Sequence, residues 1–285
     1  MTVLLGGLSL GAVYALVAIG YNIVFISSKT FNFAQAQLMM FGAFIVYTGA
    51  VVFGLHPVIA GLIGMIVVAG IAYLEFVLAI RPVRDHHNIL VTTLGAAVLL
   101  DGTAQLLWGG EPLKVPFLAG DNAIDFFGGR VYPVEIALVA VVAVLVGGFA
   151  VYGRMSLTGL ALRGMSEDNE AAQLRGVNVR RLALMTFVFA GALAGLLGVF
   201  VGPKTFAVAT LGAALALKGF VVLAIGGFGS MPGAAVGGII VGLTEAVAAR
   251  YLGGEYALLA VFALLITILL LRPSGLFVRA KERTV

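Results

Sequence analysis

Four ionisable side chains stand inside long apolar runs: Glu75, Asp101, Lys218 and Glu245. A charge in a bilayer core is costly, and those that persist pair with one another, face a cavity or line a solute path. Lys218 and Glu245 fall in neighbouring runs joined by the turn GGFGSMPG, a spacing that allows either an ion pair fixing helix register or contact with a solute. Glu75 precedes Arg81 by about a turn and a half of helix, near enough to snorkel to the membrane surface. Asp101 shares its run with Thr92, Thr93 and Gln105, a polar face suited to a water-lined surface or to hydrogen bonds between helices. NFAQAQ adds Asn32, Gln35 and Gln37, amides able to bind a solute; we read them rather as satisfying the backbone at a helix break. No P-loop, HExxH or nucleophile elbow is present, so hydrogen bonding and charge are the available chemistry, not bond cleavage. His56, His86 and His87 sit at run boundaries without metal-ligand spacing, and the chain has no cysteine, so neither a metal nor a bound cofactor is expected.

A second polar cluster is denser. In MSEDNEAAQLRGVNVRR (165–181), Ser166 can cap a helix whose first turn holds Glu167, Asp168 and Glu170, where the helix dipole favours negative charge. Ala171, Ala172, Gln173 and Leu174 extend it, Gly176 suits the left-handed residue that ends it, and Asn178 can cap the next helix. The prediction is a helix over 167–175, too short to stand alone in water. Its small face (Ala171, Ala172) and Leu174 suit docking in a partner's groove. The bland alternative is a solvated loop whose charges only set topology.

The elements that must position these groups follow from composition. The chain is 61% hydrophobic and 11% charged, against about 25% charged residues in soluble domains. Apolar runs fall at about 3–26, 37–55, 58–80, 89–108, 133–152, 182–201, 211–226, 234–251 and 256–271, most long enough for a bilayer core of ~30 Å. The expectation is an all-α polytopic membrane protein, one domain over 1–285, with eight or nine spans depending on whether part of 211–251 is re-entrant. The first run lacks a basic leader and a cleavage site and reads as a retained span. With the N-terminus outside, twelve of the seventeen Lys and Arg residues fall in the cytoplasm and four outside, with Lys218 inside a span. The loop 153–181 is then cytoplasmic, the loop 109–133 external and the basic tail cytoplasmic. KTFNFA (29–34) and KTFAVA (204–209) begin after the first and sixth runs, an odd number of crossings apart, as in an inverted-topology repeat. Small-xxx-small stripes such as GALAG (191–195) and GIIVG (238–242) predict close helix packing.

EAAQLRG (170–176) has the form EAA-x-x-x-G, the cytoplasmic signature of binding-protein-dependent ABC importer permeases. With GAVYALVAIGYNIVF, NFAQAQLMMFGAF, FAGALAGLLGVF, LKGFVVLAIGGFGSMPGAAVGG and RPSGLF, the chain resembles the LivH-type permeases of the branched-chain amino acid importer family. It departs from other importer branches in lacking Ile-x-Leu-Pro after the signature, and from its own branch in Gln35-Ala36-Gln37, where a glycine is usual. The resemblance implies a permease subunit of the bacterial inner membrane that moves a small polar solute inward, most often a branched-chain or other amino acid. It implies a second, LivM-like permease, two cytoplasmic ATPases that use ATP and Mg, and an external solute-binding protein received by the loop 109–133. Nucleic acid has no place among these partners; membrane lipid does. The helix 167–175 would be the coupling helix, with Arg163, Glu167, Asp168, Glu170, Ala171, Ala172, Leu174 and Gly176 docking the ATPase. Asn32, Gln35, Gln37, Thr92, Thr93, Asp101, Lys218 and Glu245 are the candidates for the path or for buried polar contacts. A self-sufficient secondary transporter or channel would share the repeat and the buried charges but not EAA-x-x-x-G, and an intramembrane enzyme lacks any reactive pattern.

Overall fold

The computed structural model describes residues 1–83, 86–120, 122–126 and 128–277, without the side chains of His86, His87, Phe126 and Asn169. Arg84, Arg279, Lys281 and Arg283, which enter the charge count above, lie outside the described residues. The chain is a helical bundle: α1 (Thr2–Ser28), α2 (Gln35–Tyr47), α3 (Pro57–Glu75), α4 (His86–Trp108), α5 (Pro133–Met155), α6 (Leu157–Glu167), α7 (Asn169–Leu174), α8 (Val179–Thr205), α9 (Leu211–Gly226), α10 (Met231–Tyr251) and α11 (Gly254–Leu271). α2 and α3 each run on through a wider turn, Thr48–Val52 and Phe76–Ile80. Among the described residues, eight helices are long and apolar enough to cross a membrane. α9, the seventh run, has 16 residues, or about 24 Å at the usual helical rise, too short to cross alone.

Local chemistry sets the ends. Pro57 and Pro133 occupy first-turn positions where a missing N–H costs nothing. Ser230 caps α10 by accepting from Gly233 N at 3.0 Å. The loop 109–133 holds a short hairpin, β1 (Ile124–Phe126) with β2 (Gly129–Val131), that the sequence reading did not include. Leu113 and Ala207 exchange backbone hydrogen bonds at 2.9 Å and tie that loop to the end of α8.

α1 is buried on every side from Gly11 to Val24, as its uniformly apolar sequence requires. Ser27 meets Thr186 at 2.6 Å, while Ser9 and Lys204 share the carboxylate of Glu135 at the other end. α1 and α8 are therefore antiparallel. Both have 27 residues, and each ends at a non-glycine residue with a left-handed backbone, Lys29 (φ 54°) and Phe206 (φ 60°). No other described non-glycine residue has a positive φ. After each, the chain turns back into the protein and starts a shorter helix there, α2 or α9. α1 packs most extensively on α10, α8 packs most extensively on α3, and α2 meets α9 between them. This reciprocal exchange is the inverted repeat. Its two Lys-Thr-Phe copies are offset by two positions, since the left-handed residue is the Lys in one and the Phe in the other.

The swapped contacts rest on glycine. A Cβ on Gly11 would lie 2.5 Å from Gly238 O, and one on Gly195 would lie 2.3 Å from Gly64 O. Backbones this close gain dispersion contacts that larger residues forbid.

Candidate functional site: a buried polar layer and an exposed helical elbow

The break after α1 places the first polar group. Asn32 Oδ1 accepts from Ala34 N at 2.9 Å and starts the turn into α2. Gln35 then lies against Gly20 of α1, and its Nε2 donates to Ala190 O at 3.1 Å. Two residues on, Gln37 Nε2 donates to Asp101 Oδ2 at 3.4 Å, with Gly212 at the start of α9 closing over both. Gln35 Oε1, Gln37 Oε1, Asp101 Oδ1, Asn32 Nδ2 and both Glu75 carboxylate oxygens are buried without a hydrogen-bond partner among the described residues. Buried polar atoms are nearly always paired; Asn32 and Glu75 lie beside each other, while Gln35 Oε1, Gln37 Oε1 and Asp101 Oδ1 keep acceptor capacity for a further donor.

One expectation needs correction here. Glu75 does not reach the surface beside Arg81; it is buried, with Asn32 as its polar neighbour, because its helix turns that face toward the break. Thr92 and Thr93 lie on the same helix as Asp101, Thr93 buried and Thr92 half-buried. Their hydroxyls bond Ile89 O and Leu90 O one turn back, the usual resort of a threonine in a helix.

Lys218 and Glu245 pair at 2.6 Å, and the pair has a third member. Lys218 Nζ donates to Tyr14 OH at 2.9 Å, and Tyr14 OH donates to Glu245 Oε2 at 2.8 Å. The triad closes α1, α9 and α10 around one charge-neutral knot, with the ammonium also over the Tyr14 ring.

On the opposite face from the hairpin, α6 and α7 form an elbow between α5 and α8. Ser166 does not cap α7; its Oγ bonds Arg163 O within α6. Asp168 is the cap, accepting from Glu170 N at 2.9 Å and Ala171 N at 3.1 Å, so α7 has six residues where about nine were expected. An Asp carboxylate outcompetes a Ser hydroxyl here because it meets two N–H groups at the positive helix end. Gly176 does take the left-handed backbone (φ 84°), and Asn178 Oδ1 caps α8 through Arg181 N. Glu167, Asp168, Glu170, Ala171 and Gly176 are exposed, and Leu174 is 89% exposed. Ala172 is buried, so it anchors α7 to the bundle and cannot meet a partner. Arg163 is exposed, and its guanidinium lies near Gly153 at the end of α5.

Residues 3–271 match the family model described as the permease component of a branched-chain amino acid transport system. The chain belongs to that permease family. It is similar to the high-affinity branched-chain amino acid transport system permease protein LivH of Escherichia coli (strain K12), with 32% identity over 98% of this chain and 96% of that protein. It is similar also to BraD of Pseudomonas aeruginosa, at 30% identity over 99% and 97%. A solved structure, PsaBC from Streptococcus pneumoniae in complex with Fab, superposes with a TM-score of 0.51 over 96% of this chain and 93% of that one. At 14% identity that likeness speaks to the fold alone.

Sequence reasoning missed three structural groups of this permease. Tyr14 is one, and Glu135, which binds Lys204 and Ser9, is another. Asn22 is the third: it accepts from Gly229 N at 2.8 Å and donates to Ser230 O at 3.0 Å, holding the α9–α10 turn against α1. Asn22 and Glu135 were visible as polar side chains in apolar runs, whereas Tyr14 was not marked in this way. We expect Gly212→Val to insert normally and to lose most uptake. A Cβ there would lie 2.8 Å from Gln37 Cγ and 3.1 Å from Asp101 Oδ1, crowding the layer. Radiolabelled solute uptake at matched membrane abundance checks this.

Proposed function

We propose that this permease is the membrane subunit of an ATP-binding-cassette importer that moves a branched-chain or other small amino acid inward. The observation that carries the reading is the exposed, Asp-capped, Gly-terminated α7, which bears EAA-x-x-x-G between two membrane helices. A six-residue helix is not stable alone. This one is held at Ala172 and by its caps while Glu170, Ala171 and Leu174 remain outward, the pattern of a surface shaped for a partner.

In this reading the elbow lies in the cytoplasm, the N-terminus and the hairpin loop lie outside, and the basic residues around α7 agree with that orientation. Two separate ATPases seat on the elbows of this chain and of a second, similar permease, and ATP and Mg act on those subunits. A solute-binding protein delivers the amino acid to the loop 109–133. The path runs by Gln37 and Asp101 beside α9, and α4 and α11, sparsely covered within the monomer, face the second permease. The triad of Lys218, Glu245 and Tyr14 serves structure rather than solute, since its charges already satisfy one another.

Glu170→Lys should invert the charge at the elbow, and Gly176→Pro should break it, because proline cannot adopt a positive φ. Both variants are expected to insert normally and to reduce recovery of the cognate ATPase on co-purification by about tenfold or more. Normal assembly and transport by both would show that α7 is not the docking element.

A further inference from the structure

Two cavities meet where α5 bends into α6. One, of about 520 Å³, is a groove within the membrane-spanning region, lined almost wholly by apolar groups such as Ile23, Val144, Leu145 and Met185. The other, of about 630 Å³, opens at the elbow face and is lined by Lys29, Arg154 and Arg163, with no carboxylate among the described residues that line it. They share Ile26, Phe149, Tyr152, Leu162 and Met231, so the apolar groove leads directly into the cationic mouth. Arg163 lies against the end of α5 there, where a Cβ on Gly153 would be 3.2 Å from its Nε. Neither Arg154 nor Arg163 forms a salt bridge among the described residues.

α6 forms one wall and has the chemistry of a helix lying at a membrane surface. Leu157 and Leu160 are exposed on it beside the membrane-facing end of α5, while Leu162 and Arg163 turn into the cavity.

We propose that this two-part pocket binds one anionic phospholipid from the leaflet on which it opens, with the phosphate held by Lys29, Arg154 and Arg163 and an acyl chain along the apolar groove. Three cations around one opening form the basic inter-helix pocket that selects anionic headgroups at a membrane surface. A free anion would use the mouth but leave the contiguous groove without a role. The chain's own tail after Phe277 is a poor rival, for it carries Arg279, Lys281 and Arg283 against Glu282 and would bring like charge to the mouth. The inference rests on the membrane placement and is independent of the transport reading. Its consequence is local: a bound lipid would brace α6 against α1 and α5, just before the α7 elbow.

The test uses the full-length permease purified from membranes and reconstituted in nanodiscs of phosphatidylcholine with or without phosphatidylglycerol. Bound lipid is then read by native mass spectrometry after mild detergent extraction. The expected result is one retained phosphatidylglycerol per chain, preferred over phosphatidylcholine by about tenfold or more. Arg154→Gln with Arg163→Gln should abolish the preference, and lysine at both positions should restore much of it. Gly148→Trp, which fills the groove and leaves the cations, should also lose the lipid. Equal retention of both headgroups would overturn the proposal, and so would an unchanged preference in the double glutamine variant. Displacement by inorganic phosphate with retention in Gly148→Trp would mark a simple anion site and overturn it too. So would lipid binding that appears only after residues 278–285 are removed, because the tail would then be the occupant.

Discussion

Lys218→Met is expected to destabilise the folded permease by about 3–5 kcal/mol, because it strands the Glu245 carboxylate in the bundle with Tyr14 as its one remaining hydrogen-bond partner among the described residues. The ion pair has side-chain exposures of 21% and 15%, so little solvent is available to screen the orphaned charge. The pair is not valuable for its own attraction, since desolvation offsets most of the Coulomb gain and a well-packed neutral pair can be as stable. That asymmetry makes a sharp double-mutant test. Lys218→Met with Glu245→Gln should recover most of the loss, because Gln can still accept from Tyr14 and carries no charge. Thermal unfolding of the single and double variants in one nanodisc composition measures the coupling. Additive losses would show that the two side chains act independently.

The second large effect is steric. Gly195→Val would set a branched side chain where even a Cβ lies 2.3 Å from Gly64 O and 2.9 Å from Val68 Cβ. Overpacking a core usually costs about 1–3 kcal/mol when side chains can yield, and here the obstacle is backbone. The α3–α8 contact is one of the two swapped packings that relate the halves, so its loss should prevent a stable fold. We expect no monodisperse protein on size-exclusion chromatography from Gly195→Val. Gly70→Ala is the matched control, with nothing within 4 Å of the new Cβ and a better helix former in place of glycine. A well-folded Gly195→Val variant would mean that the helices can separate without cost.

Much of this architecture is legible in the residues, for identifiable reasons. Span positions follow from apolar length, and every run predicted from it corresponds to a helix. The inverted repeat is faintly marked by Lys-Thr-Phe and becomes plain only through two left-handed residues, Lys29 and Phe206, whose backbone state no residue type announces. The pairing of Lys218 with Glu245 is readable because two opposite charges in adjacent apolar helices have few other options. Tyr14 escapes such reading because a tyrosine fits an apolar run whether or not its hydroxyl has a partner. Glu75 was misjudged for a related reason: distance along a helix says how far a group lies from the surface, not which way it faces. At the elbow, Ser166 and Asp168 are both good caps two residues apart, and the competition is settled by the carboxylate that meets two N–H groups at the start of α7.

The measurement that bears most directly on coupling through the elbow is cysteine cross-linking to the cognate ATPase. The chain has no native cysteine, so each introduced thiol reports one place only. Leu174→Cys, at a position 89% exposed, and Glu170→Cys should cross-link to the ATPase in assembled membranes, while Ala172→Cys, buried beneath α7, and Lys114→Cys, on the hairpin face, should not. If transport continues in these variants while neither Leu174→Cys nor Glu170→Cys cross-links, or if Lys114→Cys does so instead, coupling through α7 is contradicted.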